Sequence, residues 1–199
     1  MKGSYYDEHA KEFAEQTAHL DASFLYGPFL KHVPAGGRIL DAGCGTGRDA
    51  KQFLNMGYDV TAVDASPAMV AMASELTGRD AVLMSFQELE FEEEFDGIWA
   101  CASLLHVPKT DIDAVLDRLS RALKPQGVMY LSFKYGTGEN VRKGRLFNDY
   151  TDEGLAELLS RHHELSVIEI WNSKDIREKR TGEVWVNGLV GKFSVEAGK

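Results

Sequence analysis

Residues 39–50, ILDAGCGTGRDA, carry an apolar run into Asp41 and then set Gly43, Gly45 and Gly47 at alternate positions. Glycine loses more backbone freedom on folding than other residues, so this density marks a backbone that needs positive φ or close approach. A second acid, Asp64 in TAVDAS, follows Gly47 by 17 residues, room for one helix and one strand. Two ligand chemistries compete for such a loop. A dinucleotide wants G-x-G-x-x-G/A, whose third small residue brings the helix N-terminus onto pyrophosphate. Counting from Gly43, that position holds Arg48. NAD and FAD are therefore disfavoured.

The elements that must hold these residues read as alternating strands and helices. RILDAG is a short buried strand, and TGRDAKQFLNMG a helix closed by Gly57. YDVTAVD is a strand, and SPAMVAMASELTG a helix with Ser66 as N-cap and Pro67 at its first position. DAVLMS, FDGIWACA and GVMYLSFK continue the strands, with the helix KTDIDAVLDRLSRALK before the last of these. TDEGLAELLSRH is a capped helix, and ELSVIEIWN and EVWVNGLVGKF are too close together for a helix between them. The pattern predicts an α/β fold: a doubly wound, mostly parallel seven-stranded sheet with an antiparallel C-terminal strand pair. Upstream, SYYDEHAKEFAEQTA predicts an amphipathic helix, and DASFLYGPFLKHV a second, capped by Asp21 and interrupted at Gly27-Pro28. The segment KYGTGENVRKGRLFNDYT predicts a long loop. No repeat or linker divides the 199 residues, so one domain is expected over 1–199.

Composition narrows the function. The chain is 44% hydrophobic and 27% charged, with a net charge of −9, which does not favour sliding on nucleic acid or binding anionic lipid. Two cysteines, Cys44 and Cys101, form no disulfide scaffold and match no metal spacing, so no metal is expected. The opening residues are polar and no window reaches the roughly 18 apolar residues of a membrane span. A cytoplasmic protein is expected.

The order Asp41-Ala42-Gly43-Cys44-Gly45-Thr46-Gly47 resembles the first motif of the class I S-adenosylmethionine-dependent methyltransferases, Rossmann-like proteins, and the overall layout is similar to their tellurite-resistance-like, small-molecule group. The resemblance spans about residues 36–135, the expected cofactor-binding core, with 1–33 as a helical lid and 136–199 as substrate-side and C-terminal strands. It implies S-adenosyl-L-methionine as cofactor. Gly43, Cys44, Gly45 and Gly47 would fold against its methionine part, Asp41 would meet its ammonium, and Asp64 with Ala65 its ribose. Ser85, Phe86 and Gln87 would flank adenine, and Ala100 and Cys101 would form the floor. The Pro-Pro motif of amino-methylating nucleic-acid enzymes is missing from ACASLL, and Cys101 lacks the preceding proline of cytosine carbon-5 enzymes.

Methyl transfer from a sulfonium needs alignment in a dry pocket, and a base only for acceptors with a high-pKa proton. His106 in LLHVP and the lid tyrosine Tyr6 are the candidates on the reacting side. Tyr135, Arg142, Arg145, Tyr150 and Arg177, with Lys143 and Lys179 nearby in sequence, would edge a basic, aromatic mouth for a small anionic acceptor. A tRNA-modifying methyltransferase using the same basic segments, and a non-catalytic S-adenosylmethionine-binding protein, stay open as alternatives.

Overall fold

The computed structural model describes residues 5–17, 19–142, 144–177, 180 and 182–193. Helices α1 (Tyr5–Glu8), α2 (Ala10–Thr17) and α3 (Ser23–Leu30) come first. Strands and helices then alternate through β1 (Arg38–Ala42), α4 (Arg48–Asn55), β2 (Asp59–Asp64), α5 (Pro67–Thr77), β3 (Val82–Leu83) and β4 (Phe95–Ala100). After α6 (Ile112–Ala122) and β5 (Leu123–Tyr135) come β6 (Gly138–Arg142), β7 (Arg145–Tyr150), α7 (Asp152–Ser160), β8 (Leu165–Lys174) and β9 (Val184–Lys192).

Local chemistry accounts for the element ends. Ser66 Oγ accepts the Met69 amide at 3.3 Å with Pro67 at the first helical position, so α5 starts where its sequence asks. Thr151 does the same for α7 by accepting from Gly154 at 3.1 Å. Helix α3 runs through Gly27 and Pro28 instead of breaking there. Its Tyr26 and Phe29 pack on Trp99, with ring centroids 5.4 and 5.2 Å away, and that packing outweighs one missing amide. Ala22 takes the position before α3, while Asp21 accepts from the Ser23 amide at 2.8 Å. The expected first helix is divided at His9 into α1 and α2.

The sheet runs β3-β2-β1-β4-β5 in parallel; β9 then pairs antiparallel with β5, and β8 antiparallel with β9. The expected C-terminal pair is present. Among the described residues the sheet has nine strands, because the segment expected as a long loop folds into the β6–β7 hairpin. Arg142 pairs with Arg145 across its turn, Gly144 sits at φ +75°, and Phe147, Asn148, Asp149 and Tyr150 are buried. The hairpin extends the end of β5 through Lys134 with Asp149 and Tyr135 with Tyr150. Its polar residues concealed the strand alternation.

Two apolar clusters sandwich the sheet. One gathers Leu116, Leu119, Phe133 and Leu158; the other gathers Phe29, Phe53, Trp99 and Tyr130. Strand β5 is buried from Gly127 to Lys134, yet it carries Tyr130, Ser132 and Lys134 at alternate positions. Residues two apart share one face of a strand. A polar stripe on a buried strand needs something polar to face.

Candidate cofactor and acceptor cavity

That stripe faces a cavity of about 480 Å³ at the carboxyl ends of β1, β2, β4 and β5, partly covered by α1 and α2. The place and size suit a small-molecule site of a doubly wound sheet.

The loop after β1 divides its work among the glycines. Gly43, Gly45 and Gly47 have φ of +78°, +55° and +81°. A Cβ on Gly43 would lie 2.5 Å from Ser103 Cβ, and one on Gly47 2.9 Å from Ala73 Cα. A Cβ on Gly45 would meet nothing nearer than Phe13 Cε1 at 3.7 Å. Gly43 and Gly47 thus let the loop and α4 approach their neighbours, and Gly45 is the glycine with room above it. Gly47 serves as the N-cap of α4, outside the cavity wall.

Two buried carboxylates stand behind this loop with different fates. Asp49 accepts from Tyr26 at 2.7 Å, from Trp99 Nε1 at 2.9 Å, and from Arg48 at 2.7 and 3.0 Å. Burial opposes its ionisation, but these donors, Arg48 foremost, hold its carboxyl below the usual range. Asp41 Oδ2 accepts the Ala50 amide at 3.1 Å. Burial first, and then the charge of Asp49, push Asp41 well above the ordinary carboxylate value. Asp41, on the cavity wall, is a carboxylate short of positive charge. Asp64, at the end of β2, accepts from Gly45 and Ser66, each at 2.9 Å, and burial raises it too. Asp7 of α1 reaches the same corner, accepting from Ser66 Oγ at 2.5 Å.

The remaining walls are set by neighbouring loops. Ala65, Ser85, Phe86, Gln87, Cys44 and Cys101 all line the cavity, whereas Ala100 is fully buried beneath it. Ser85 is engaged with Glu88, bonding its carboxylate through Oγ at 2.7 Å and through N at 2.8 Å. Ala102 sits at φ +53°, a conformation costly for a residue with a Cβ, with its amide held by Ser132 Oγ at 2.8 Å. Ser103 Oγ ties the same turn to Ala42 O at 2.7 Å. These anchors keep the floor open where β4 ends.

On the far side, His106 Nδ1 lies 2.7 Å from Leu146 O and Nε2 lies 2.7 Å from Tyr6 Oη. Arg145 Nη1 donates to the same Tyr6 oxygen at 3.2 Å. Its guanidinium carbon sits 4.3 Å from the Tyr5 ring centroid and 5.1 Å from that of Phe147. Burial brings His106 down to about 4, so its ring is neutral near pH 7. Arg177 also lines the cavity, paired with Asp175. Burial pushes Asp175 up, but Arg177 and Trp185 N–H bring it down to about 2. Lys134 is lowered to about 8, first by burial and then by Arg177 and Arg180.

Three expected mouth residues are elsewhere. Arg142 belongs to the edge strand β6 and pairs with Asp149, outside this cavity. Tyr135 is 47% exposed at the end of β5. Tyr150 packs on Phe133 at 4.7 Å and lines a second pocket beside Gly136 and Arg161. Lys143 and Lys179 lie outside the described residues. Sequence reasoning passed over Phe13, Met69, Ser132, Asp175, Trp185 and Asn187, which do line the cavity. The alternation Tyr130-x-Ser132-x-Lys134 was the signal that pointed at this wall.

No described helix is long and apolar enough to cross a membrane. A family described as "Methyltransferase domain" matches residues 39–127. YqeM of Bacillus subtilis (strain 168), a protein bearing a methyltransferase name, is 28% identical over 161 residues, covering 71% of this chain and 64% of its own. A ubiquinone biosynthesis O-methyltransferase of Xanthomonas axonopodis pv. citri (strain 306) is 34% identical over 106 residues, 50% of this chain and 44% of that one. The chain thus spans between 44% and 64% of the length of these two relatives. Among solved structures, the Burkholderia thailandensis 1,6-didemethyltoxoflavin-N1-methyltransferase, with bound 1,6-didemethyltoxoflavin and S-adenosylhomocysteine, superposes with a TM-score of 0.76 at 26% identity. That match covers 95% of this chain and 84% of the other. The glycine loop, the two strand-end acids and the sheet order agree with a class I S-adenosylmethionine-dependent methyltransferase, the superfamily that these matches support.

Proposed function

We propose that this protein transfers a methyl group from S-adenosylmethionine to a small-molecule acceptor by in-line displacement. One observation carries the reading: a single cavity joins the Asp41–Gly45–Asp64 corner to the His106–Tyr6–Arg145 cluster. The donor set fits the cofactor. A carboxylate short of positive charge at Asp41 suits an ammonium, and the neighbouring Arg48 guanidinium suits a carboxylate. Asp64 keeps acceptor capacity for ribose hydroxyls beyond its two amide bonds, and Phe86 supplies an aromatic wall for adenine.

When bound, S-adenosylmethionine supplies a methyl carbon already activated on sulfur. The chain's task is to orient the acceptor and exclude water. The whole chain acts as one domain, with α1 and α2 as its cover, the β1–β5 region as cofactor core and the later strands as acceptor wall. Arg145 and Arg177 would position an anionic group on the acceptor, with His106 and Tyr6 beside the reacting atom. These cations line the cavity, which favours a small molecule over tRNA. The free thiols of Cys44 and Cys101 fit a cytoplasmic enzyme.

Calorimetry with S-adenosylhomocysteine and with NAD, followed by a metabolite screen for S-adenosylhomocysteine release, tests the reading. Low-micromolar binding of the first and none of NAD is expected. Binding of NAD alone would overturn it, and cofactor binding without turnover of any acceptor would leave a sensor.

A further inference from the structure

We propose that the acceptor presents an ionisable hydroxyl, a phenol or an enol, and that the Tyr6 side chain occupies that hydroxyl's place in the structure. The inference rests on the methyltransferase reading and adds the acceptor class.

The His106 ring has a fixed sense. Leu146 O, 2.7 Å from Nδ1, can only accept, so Nδ1 carries the proton and Nε2 presents its lone pair. Tyr6 Oη donates to that lone pair at 2.7 Å and accepts from Arg145 Nη1 at 3.2 Å. One oxygen therefore sits between a lone-pair nitrogen that can take up a hydroxyl proton and a guanidinium that can stabilise the resulting oxyanion; burial raises the Tyr6 hydroxyl there and the Arg145 bond lowers it in part. Among the described residues Arg145 has no carboxylate within ion-pair distance; aromatic faces hold it instead. Its charge is available to a ligand.

Other acceptor classes fill this constellation less well. An aromatic N–H can donate to Nε2 but offers Arg145 no lone pair on the same atom. A carboxylate would satisfy Arg145 and meet the Nε2 lone pair with a second one. An ammonium would face Arg145 as a like charge. Only a group that donates once and accepts once at a single atom satisfies both, and a phenol is already seen doing so. His106 and Phe147, with ring centroids 4.9 Å apart, add an aromatic edge to the slot.

During transfer the acceptor O–H bond breaks and its proton passes to His106 Nε2. The oxygen bonds the methyl carbon while the sulfur–methyl bond breaks, its electron pair staying on sulfur. The positive charge moves from sulfonium to imidazolium, and atoms and charge balance.

The test pairs ring compounds differing at one position: 4-hydroxybenzoate, 4-aminobenzoate and benzoate, together with phenol and aniline. Binding is measured by calorimetry with S-adenosylhomocysteine present, and products by mass spectrometry with S-adenosylmethionine. Hydroxylated members should bind at least ten-fold more tightly than their counterparts and gain the methyl group on oxygen. Tyr6→Phe removes the hydroxyl that competes for these two groups, so the ten-fold preference should persist in that variant whatever its absolute affinity, whereas His106→Ala should abolish the preference. Tyr6 lies on helices that bury only Ala10, so this variant keeps the core intact. Equal binding with and without the hydroxyl, transfer to nitrogen alone, no transfer to any hydroxylated member, or loss of the preference in Tyr6→Phe would each overturn the proposal. Wild-type protein that fails to bind S-adenosylhomocysteine would instead remove the methyltransferase reading beneath it.

Discussion

Asp64 accepts the amide of Gly45 at 2.9 Å, so the acid ending β2 fixes the glycine with open space above it. Loop shape therefore depends on the same carboxylate that the proposed function gives to the ribose. Asp64→Ala should weaken S-adenosylhomocysteine binding by about 2 kcal/mol, roughly thirty-fold, through lost charge-assisted bonds. Calorimetry reads this directly, and a change under two-fold would reduce Asp64 to a loop tie.

The glycines separate by a second experiment. Gly43→Ala places a methyl group 2.5 Å from Ser103 Cβ at positive φ, and should destabilise the fold by about 2 kcal/mol or more in urea unfolding. Gly45→Ala meets no atom nearer than 3.7 Å, so about 1 kcal/mol of backbone strain is expected. Its larger effect should fall on cofactor affinity.

His106 supplies a pH signature. Its folded value near 4 lies below the ordinary 6.5, chiefly through burial. Between these values the unfolded chain binds the extra proton, so this residue's contribution is intact above about pH 6.5 and is lost as pH falls towards 4. The full loss is at most about 3 kcal/mol. Unfolding free energies of wild type and His106→Gln, measured from pH 7.5 to 4, should converge as the pH falls. Parallel curves would place His106 in water.

Arginines 145 and 177 should fail differently. Arg177→Leu strands Asp175, a buried carboxylate, and should cost stability, about 2 kcal/mol or more, as well as acceptor affinity. Arg145→Leu leaves no carboxylate behind, so the fold should hold while KM for the acceptor rises about ten-fold or more. Cofactor affinity should stay within two-fold for Arg145→Leu. A stability loss there equal to that of Arg177→Leu would refute the distinction.

The corner of the cavity around Asp41, Gly45 and Asp64 was legible in the sequence because its signals are local: glycine spacing, an acid at each strand end, and Ser66-Pro67 opening a helix. The acceptor side was legible only in pieces. Arg145 and Arg177 line the cavity, but Arg142, which faces Arg145 directly across the hairpin turn, is paired with Asp149 on the same hairpin. That arrangement depends on three-dimensional pairing across the hairpin, and no composition rule separates the two arginines. Asp175 and Trp185 were missed for the same reason, since their contact is created by β8 returning against β9.

Helices α1 and α2 bury only Ala10 among their described residues, although Tyr6 and Asp7 of α1 bond His106 and Ser66 at opposite ends of the cavity. With so little apolar area removed from water, the cover's attachment is a local equilibrium far shallower than global unfolding. A ligand held under it contributes contacts the cover lacks by itself, and by mass action every such contact deepens that equilibrium. Amide hydrogen exchange in residues 5–17 is therefore a gauge of cavity occupancy, slowing as the site fills while the exchange of β5 stays tied to the core.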